Sequence, residues 1–123
     1  MLKLAREGNT VLLPKTKIIR DKHYRMWVAS LPCCITGISG QTQAAHISRL
    51  GMGIKASDSE IIPMSWPKHQ EQTLTGSEPK FWSKYGKTMA QVYELANGLW
   101  VRQYDDDQAL LILSRFKRGI IHS

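Results

Sequence analysis

Residues 42–76, TQAAHISRLGMGIKASDSEIIPMSWPKHQEQTLTG, decide how this chain is read. Thr42–Ile47 and Glu60–Pro63 are short, β-prone runs. The stretch between them, SRLGMGIKASDS, holds Gly51 and Gly53 and reads as a turn-rich loop. The pattern then changes. Ser65 stands where a helix N-cap is wanted, and Pro67 falls in the first turn, where a missing N–H costs little. A β-hairpin from about Thr42 to Pro63, packed on a helix that starts near Ser65, is the expected centre of the fold.

Working outward, Asp21 is placed to cap a helix that runs to about Ser30, with Tyr24, Trp27, Val28 and Leu31 on one face. Pro32 ends it. After the hairpin, Ser77 caps a helix with Pro79 early and Gly86 as its stop, and Thr88 with Gln91 spells a capping box for the next. That helix carries Met89, Val92, Leu95, Ala96 and Leu99 on its apolar face. Asp105–Asp107 cap a final helix that turns Ala109, Leu110, Ile112, Leu113 and Phe116 to the core before Gly119. The fold class is α+β, with a basic extended arm over residues 1–19 and a single domain over 20–123.

The chain has 123 residues, 42% of them apolar, enough for one modest core. Its apolar runs are far shorter than a membrane span needs, and the N-terminus lacks the apolar centre of a signal peptide. The expectation is a soluble protein of the bacterial cytoplasm with no membrane partner. The only cysteines are the neighbours Cys33 and Cys34, which suits a reducing compartment and excludes a four-cysteine zinc site within the chain. The formal net charge is +7. Within residues 1–26, Lys3, Arg6, Lys15, Lys17, Arg20, Lys22 and Arg25 face only Glu7 and Asp21, so most of the excess is N-terminal. That distribution fits either a polyanion partner, DNA above all, or a solvated tail.

There are four histidines. His23 lies on a basic helix and His122 at the C-terminus, and neither is in a setting that asks for chemistry. His46 ends the first strand and His69 lies in the first turn of the helix after the second, so the two bracket one β-loop-β-α unit. Such a unit can bring a strand histidine and a helix histidine to one point, and hydrolysis of a phosphodiester needs a base for water and a cation for the developing charge. Two unrelated polar histidines are the other reading. Asp58 fits an oxygen-rich cation site or an Asx-turn, and Arg49 a phosphate contact or a solvated loop position. Trp66, beside the proposed site, fits base stacking or packing. Glu71, two residues past His69, falls on another helix face.

The ordered set Ala45-His46-Ile47, Gly51-Met52-Gly53, Lys55, Ser57-Asp58, Ile62-Pro63-Met64 and His69, followed by Phe81-Trp82 and Tyr85-Gly86, resembles the HNH (ββα-metal) nucleases of phages and prophages. It is similar to the uncharacterised prophage HNH proteins and to the RecA-dependent recombination-enhancement nucleases, over about residues 20–100. The resemblance implies a small ββα-metal core with flanking helices and a metal-dependent DNA endonuclease active in recombination or DNA processing. It implies His46 as general base with Arg49 beside the reaction, and His69 with Asp58 at a divalent ion, Mg²⁺ or Mn²⁺, with Zn²⁺ as the alternative. Lys15, Lys17, Arg20, Lys22, Arg25, Lys55, Trp66 and Lys68 are the expected nucleic-acid contacts, and a recombinase is the expected protein partner. The sequence also departs from the pattern. Ala45 and Thr73 occupy positions that hold metal ligands in relatives, and Thr36 and Ser65 stand where relatives with a structural zinc carry cysteines, so no structural zinc is expected. Those departures open a second reading, a non-catalytic nucleic-acid-binding protein on a degenerate scaffold.

Overall fold

The computed structural model describes residues 18–47 and 57–120. Arg49, Lys55, Lys15, Lys17 and most of the basic arm lie outside those residues. The described chain is α+β: α1 (Lys22–Ala29), β1 (Thr42–His46), β2 (Ile61–Ser65), α2 (Trp66–Thr75), α3 (Glu78–Lys84), α4 (Met89–Val101) and α5 (Asp106–Arg118). β1 and β2 pair antiparallel, with Thr42 opposite Ser65, Ala44 opposite Pro63 and His46 opposite Ile61. No helix among the described residues is long and apolar enough to cross a membrane.

The helix boundaries follow local capping. Asp21 accepts the Tyr24 N–H at 3.0 Å at the start of α1. Ser77 caps α3, Thr88 and Gln91 form the reciprocal box at α4, and Asp105 accepts the Gln108 N–H at α5. Gly76 ends α2 with φ of 78°, a left-handed conformation that suits a residue without Cβ. Ser65 occupies the N-cap position of α2, but its hydroxyl makes no capping bond, because the residue also ends the buried strand β2.

The hairpin lies between two apolar clusters. On one face, Tyr24 and Val28 of α1 bury Ile61, with Ala44 at the margin. On the other, Ala45, Ile47, Ile62 and Met64 pack with Phe81 and Trp82 of α3, Val92 and Leu99 of α4, and Leu113 and Phe116 of α5. Being covered on both faces explains why β2 is buried from end to end and reads as an apolar run rather than an alternating one. Pro63 is tolerated because a two-stranded sheet has only edge strands, and its carbonyl accepts the Cys34 N–H at 2.9 Å. On α5 the expected core face needs a correction. Ala109, Leu113 and Phe116 are buried, whereas Leu110 is 46% exposed. One residue beyond Ala109 is about 100° around the helix, which carries Leu110 off the stripe that faces α4.

Candidate functional site

Strand alternation sets the site. Ala44 faces α1, so His46, two residues on, projects to the same side of the hairpin, beyond the edge of the α1 cluster. The segment entering β2 is tied to the chain before α1. Ile19 donates its N–H to Ser57 Oγ at 3.0 Å and accepts the Asp58 N–H at 2.9 Å. This clasp involves Ile19, the last residue expected in the arm.

The clasp delivers Asp58 into a cage of donors. Its Oδ2 accepts the Asp21 N–H at 2.7 Å and pairs with the Arg25 guanidinium. Its Oδ1 lies 2.7 Å from His46 Nε2 and 3.7 Å from Arg20 Nη1. Asp58 is only 1% exposed, and a carboxylate so buried persists only when paired and hydrogen-bonded. Burial pushes its acidity down, but the bonds from His46, the Asp21 N–H and Arg25 outweigh that and hold the carboxyl below the ordinary aspartate range. An ionised carboxylate only accepts hydrogen bonds. A neutral His46 therefore carries its proton on Nε2 and presents the lone pair on Nδ1.

His69 has a different partner. Its Nδ1 lies 2.9 Å from Gln43 Oε1, and the alternation of β1 places Gln43 on the face opposite His46, the face of Ala45. The structure thus joins His46 to Asp58, which also pairs with Arg20 and Arg25, and joins His69 to Gln43. Asp58, expected beside His69 at an ion, pairs with two guanidinium groups, which would compete with a cation for its oxygens. Among the described residues, no three His, Cys, Asp or Glu side chains come together as a metal-binding group. His69 and the Gln43 carbonyl are two donors, which is short of a full coordination shell.

The other expected contacts divide clearly. Trp66 opens α2 and is 53% exposed, and Lys22 is exposed on α1. Lys68 is held within the protein, 3.2 Å from Glu71 Oε1 and 2.9 Å from the Tyr85 hydroxyl. Glu71 Oε2 also accepts from Tyr85 at 2.7 Å and Lys84 at 2.8 Å, so the glutamate staples α2 to α3. Thr73 turns its hydroxyl back to the His69 carbonyl at 3.1 Å, and Ala45 is buried in the core. The Glu71 cluster gives a prediction. Burial raises the Glu71 pKa, but Lys84, Tyr85 and Lys68 bring it to about 2. A carboxylate with a depressed pKa in the fold adds stability above its unfolded pKa and loses it as pH falls toward the folded one. Glu71→Gln should therefore lower stability by about 1 kcal/mol at neutral pH, given the partial exposure of the cluster, and the gap from wild type should close between roughly pH 4.5 and 2. Urea denaturation across that range is the measurement, and a gap that stays constant would remove the role given to Glu71.

Sequence reasoning did not find Gln43 as the partner of His69, nor Asp21 and Arg25 as partners of Asp58. The spacing of Asp21 and Arg25 on one helical turn was visible, but nothing local tied them to residue 58. Near the hairpin base, Cys33 Sγ accepts the N–H groups of Ile35 at 3.4 Å and Thr36 at 3.5 Å. Burial raises its pKa, but bonds from the Thr36 hydroxyl and the backbone of Thr36, Ser65 and Ile35 bring the thiol below its ordinary range. Positions 33, 36 and 65 therefore meet in space, and hydrogen bonds link them. Both cysteines are free and buried.

No curated protein and no solved structure matches this sequence. Residues 8–98, which span β1, β2, the Asp58 cage, His69 and the α3 staple, match one family, and the chain belongs to it: the family described as Protein of unknown function (DUF968).

Proposed function

We propose that this chain is an HNH-type endonuclease of phage or prophage origin that hydrolyses DNA phosphodiester bonds. The observation that supports it best is the buried Asp58 carboxylate fixing His46 at the end of a β-hairpin that runs directly into the helix bearing His69. In this reading His46 Nδ1 takes a proton from water as the water oxygen bonds to phosphorus and the P–O bond to the leaving strand breaks. Asp58 is a positioning residue that holds the tautomer and stabilises the imidazolium. The guanidinium groups of Arg20 and Arg25 make the surroundings of His46 favourable to a phosphodiester anion. A divalent ion, Mg²⁺ or Mn²⁺ with Zn²⁺ as the alternative, belongs to the proposal through the resemblance to HNH nucleases, and would supply charge stabilisation. The described residues do not assemble a coordination shell for that ion beside His46: His69 and Gln43 are bonded to each other, with Gln43 on the face of Ala45. Ala45 and Thr73 favour the second reading, a DNA-binding protein that does not cut. Plasmid incubated with the protein and Mg²⁺, Mn²⁺ or Zn²⁺ separates the two: cleavage abolished by His46→Ala supports the nuclease, and binding without cleavage under all three ions supports the other.

DNA affinity gives a further check. The arm holds Lys3, Arg6, Lys15 and Lys17 against Glu7. Removal of residues 1–17 spares Ile19, whose clasp holds Asp58, and so tests the arm without disturbing the cage. If the four cations contact phosphates, the log–log salt dependence of binding should become shallower by roughly three units. An unchanged slope would show that the arm takes no part in binding.

A further inference from the structure

Lys87 follows α3 and the Gly86 turn, and its backbone N–H is bonded to the Trp82 carbonyl at 3.0 Å. Its side chain runs inward, leaving the residue 8% exposed with the ammonium 4.3 Å from the centroid of the Phe116 ring. A Cβ built on Gly119 would lie 2.8 Å from Lys87 Nζ, so the ammonium sits against the C-terminal end of α5. Among the described residues it has no hydrogen-bond acceptor and no ion-pair partner; the ion pairs there gather at Asp58 and Glu71. The aromatic face and the helix end offset part of the cost of burying a cation, but neither satisfies three N–H donors.

Lys87 also lines a cleft of about 450 Å³ between α4 and α5. Arg102, Arg115 and Glu94 also line it, with Leu95 and Ile112 as its apolar wall. Three cations thus face one carboxylate, and no ion pair among the described residues joins Glu94 to any of them. The volume is far greater than a bridging water needs and lies in the range of small-ligand sites.

We propose that the α4–α5 cleft binds a phosphate monoester, with the phosphate on Lys87 and Arg115 and the organic part against Leu95 and Ile112. The surplus of about two positive charges matches a monoester dianion, whereas a carboxylate or an internal phosphodiester brings only one negative charge. The monoester belongs either to a free small molecule or to the terminal phosphate of a nucleic-acid strand. The site is independent of the nuclease reading, since it uses neither His46 nor Asp58.

The test is titration of the full chain, followed by amide NMR shifts, with phenyl phosphate, inorganic phosphate, and one oligonucleotide with and without a 5′-phosphate. Saturable shifts confined to the α3–α4 turn, α4 and α5 are expected with phenyl phosphate, and weaker ones with inorganic phosphate. Lys87→Met should weaken binding at least about tenfold, as expected for loss of a charge-assisted bond, and Lys87→Arg less. Arg115→Gln, an exposed substitution that leaves the core intact, should also weaken it and serves if Lys87→Met does not fold. Cleft shifts that require the 5′-phosphate of the oligonucleotide would assign the ester to a strand end, and cleft shifts with phenyl phosphate alone would assign it to a free molecule. Absence of saturable cleft shifts with every probe, or affinity untouched by both Lys87→Met and Arg115→Gln, would overturn the proposal.

Discussion

His46→Ala is expected to lower DNA cleavage by about 10²- to 10⁴-fold, the range that a positioned general base contributes, while DNA affinity changes little. The separation follows from geometry. The His46 ring ends β1, is 38% exposed, and spends one nitrogen on Asp58, so its removal takes away the proposed base without touching the expected phosphate contacts. Single-turnover cleavage at saturating protein, beside a binding titration at the same salt concentration, is the measurement. Equal rates for the variant and the wild type would end the role of His46 as base, whatever the chain binds. The ring does no core packing, so a fall in thermal stability large enough to explain lost cleavage is not expected.

Asp58 carries the largest expected effect on stability. Asp58→Ala should cost about 3 kcal/mol, the lower end for breaking a buried ion pair, because Arg25 and Arg20 are about a third or more exposed and regain water when the carboxylate is gone. The unpaired Asp21 N–H and the loosened start of α1 account for part of that loss. For a domain of this size the melting temperature should fall by roughly 10–20 °C. The acid dependence has a definite sign. Because the folded pKa of Asp58 is depressed, its contribution is complete above the ordinary aspartate range and disappears as pH falls below it, so the difference between wild type and Asp58→Ala should shrink at low pH. A double-mutant cycle with Arg25→Ala separates the ion pair from the rest: strong coupling supports the cage, and additive effects would dissolve it. Milder variants also divide positioning from stability. Asp58→Asn should shift the pH profile of cleavage, because an amide does not stabilise the imidazolium as a carboxylate does, and a purely structural Asp58 would leave that profile unchanged.

The sequence by itself determined the elements that depend on neighbours along the chain. Asp21, Ser77, Thr88 with Gln91, and Asp105 stand at helix starts because each can reach an N–H two or three residues on, and such bonds need no tertiary context. The β-loop-β unit and the helix after it were legible for the same reason: apolar runs, glycine punctuation and a proline in the first turn are local signals. His46 and His69 stood out through rarity and position. What only the tertiary structure decided is where the charged side chains end. Asp58, expected at an ion, is drawn into a cage by Ile19, Asp21 and Arg25, 33 to 39 residues earlier in the chain, because a carboxylate leaving water must find donors. Lys68, one of the expected DNA contacts, is bonded to Glu71 and to Tyr85 of the turn after α3. Leu110 leaves the core because α5 packs along a narrower stripe than its composition allows. The two histidines take partners on opposite faces of β1, since the pleat of a strand separates residues 43 and 46 whatever their roles. Lys87, an ordinary lysine in the sequence, becomes a buried cation only because α5 folds back over it. Secondary structure was written in nearest neighbours, whereas the electrostatics of the site came from which distant donors and acceptors the packing removed from water together.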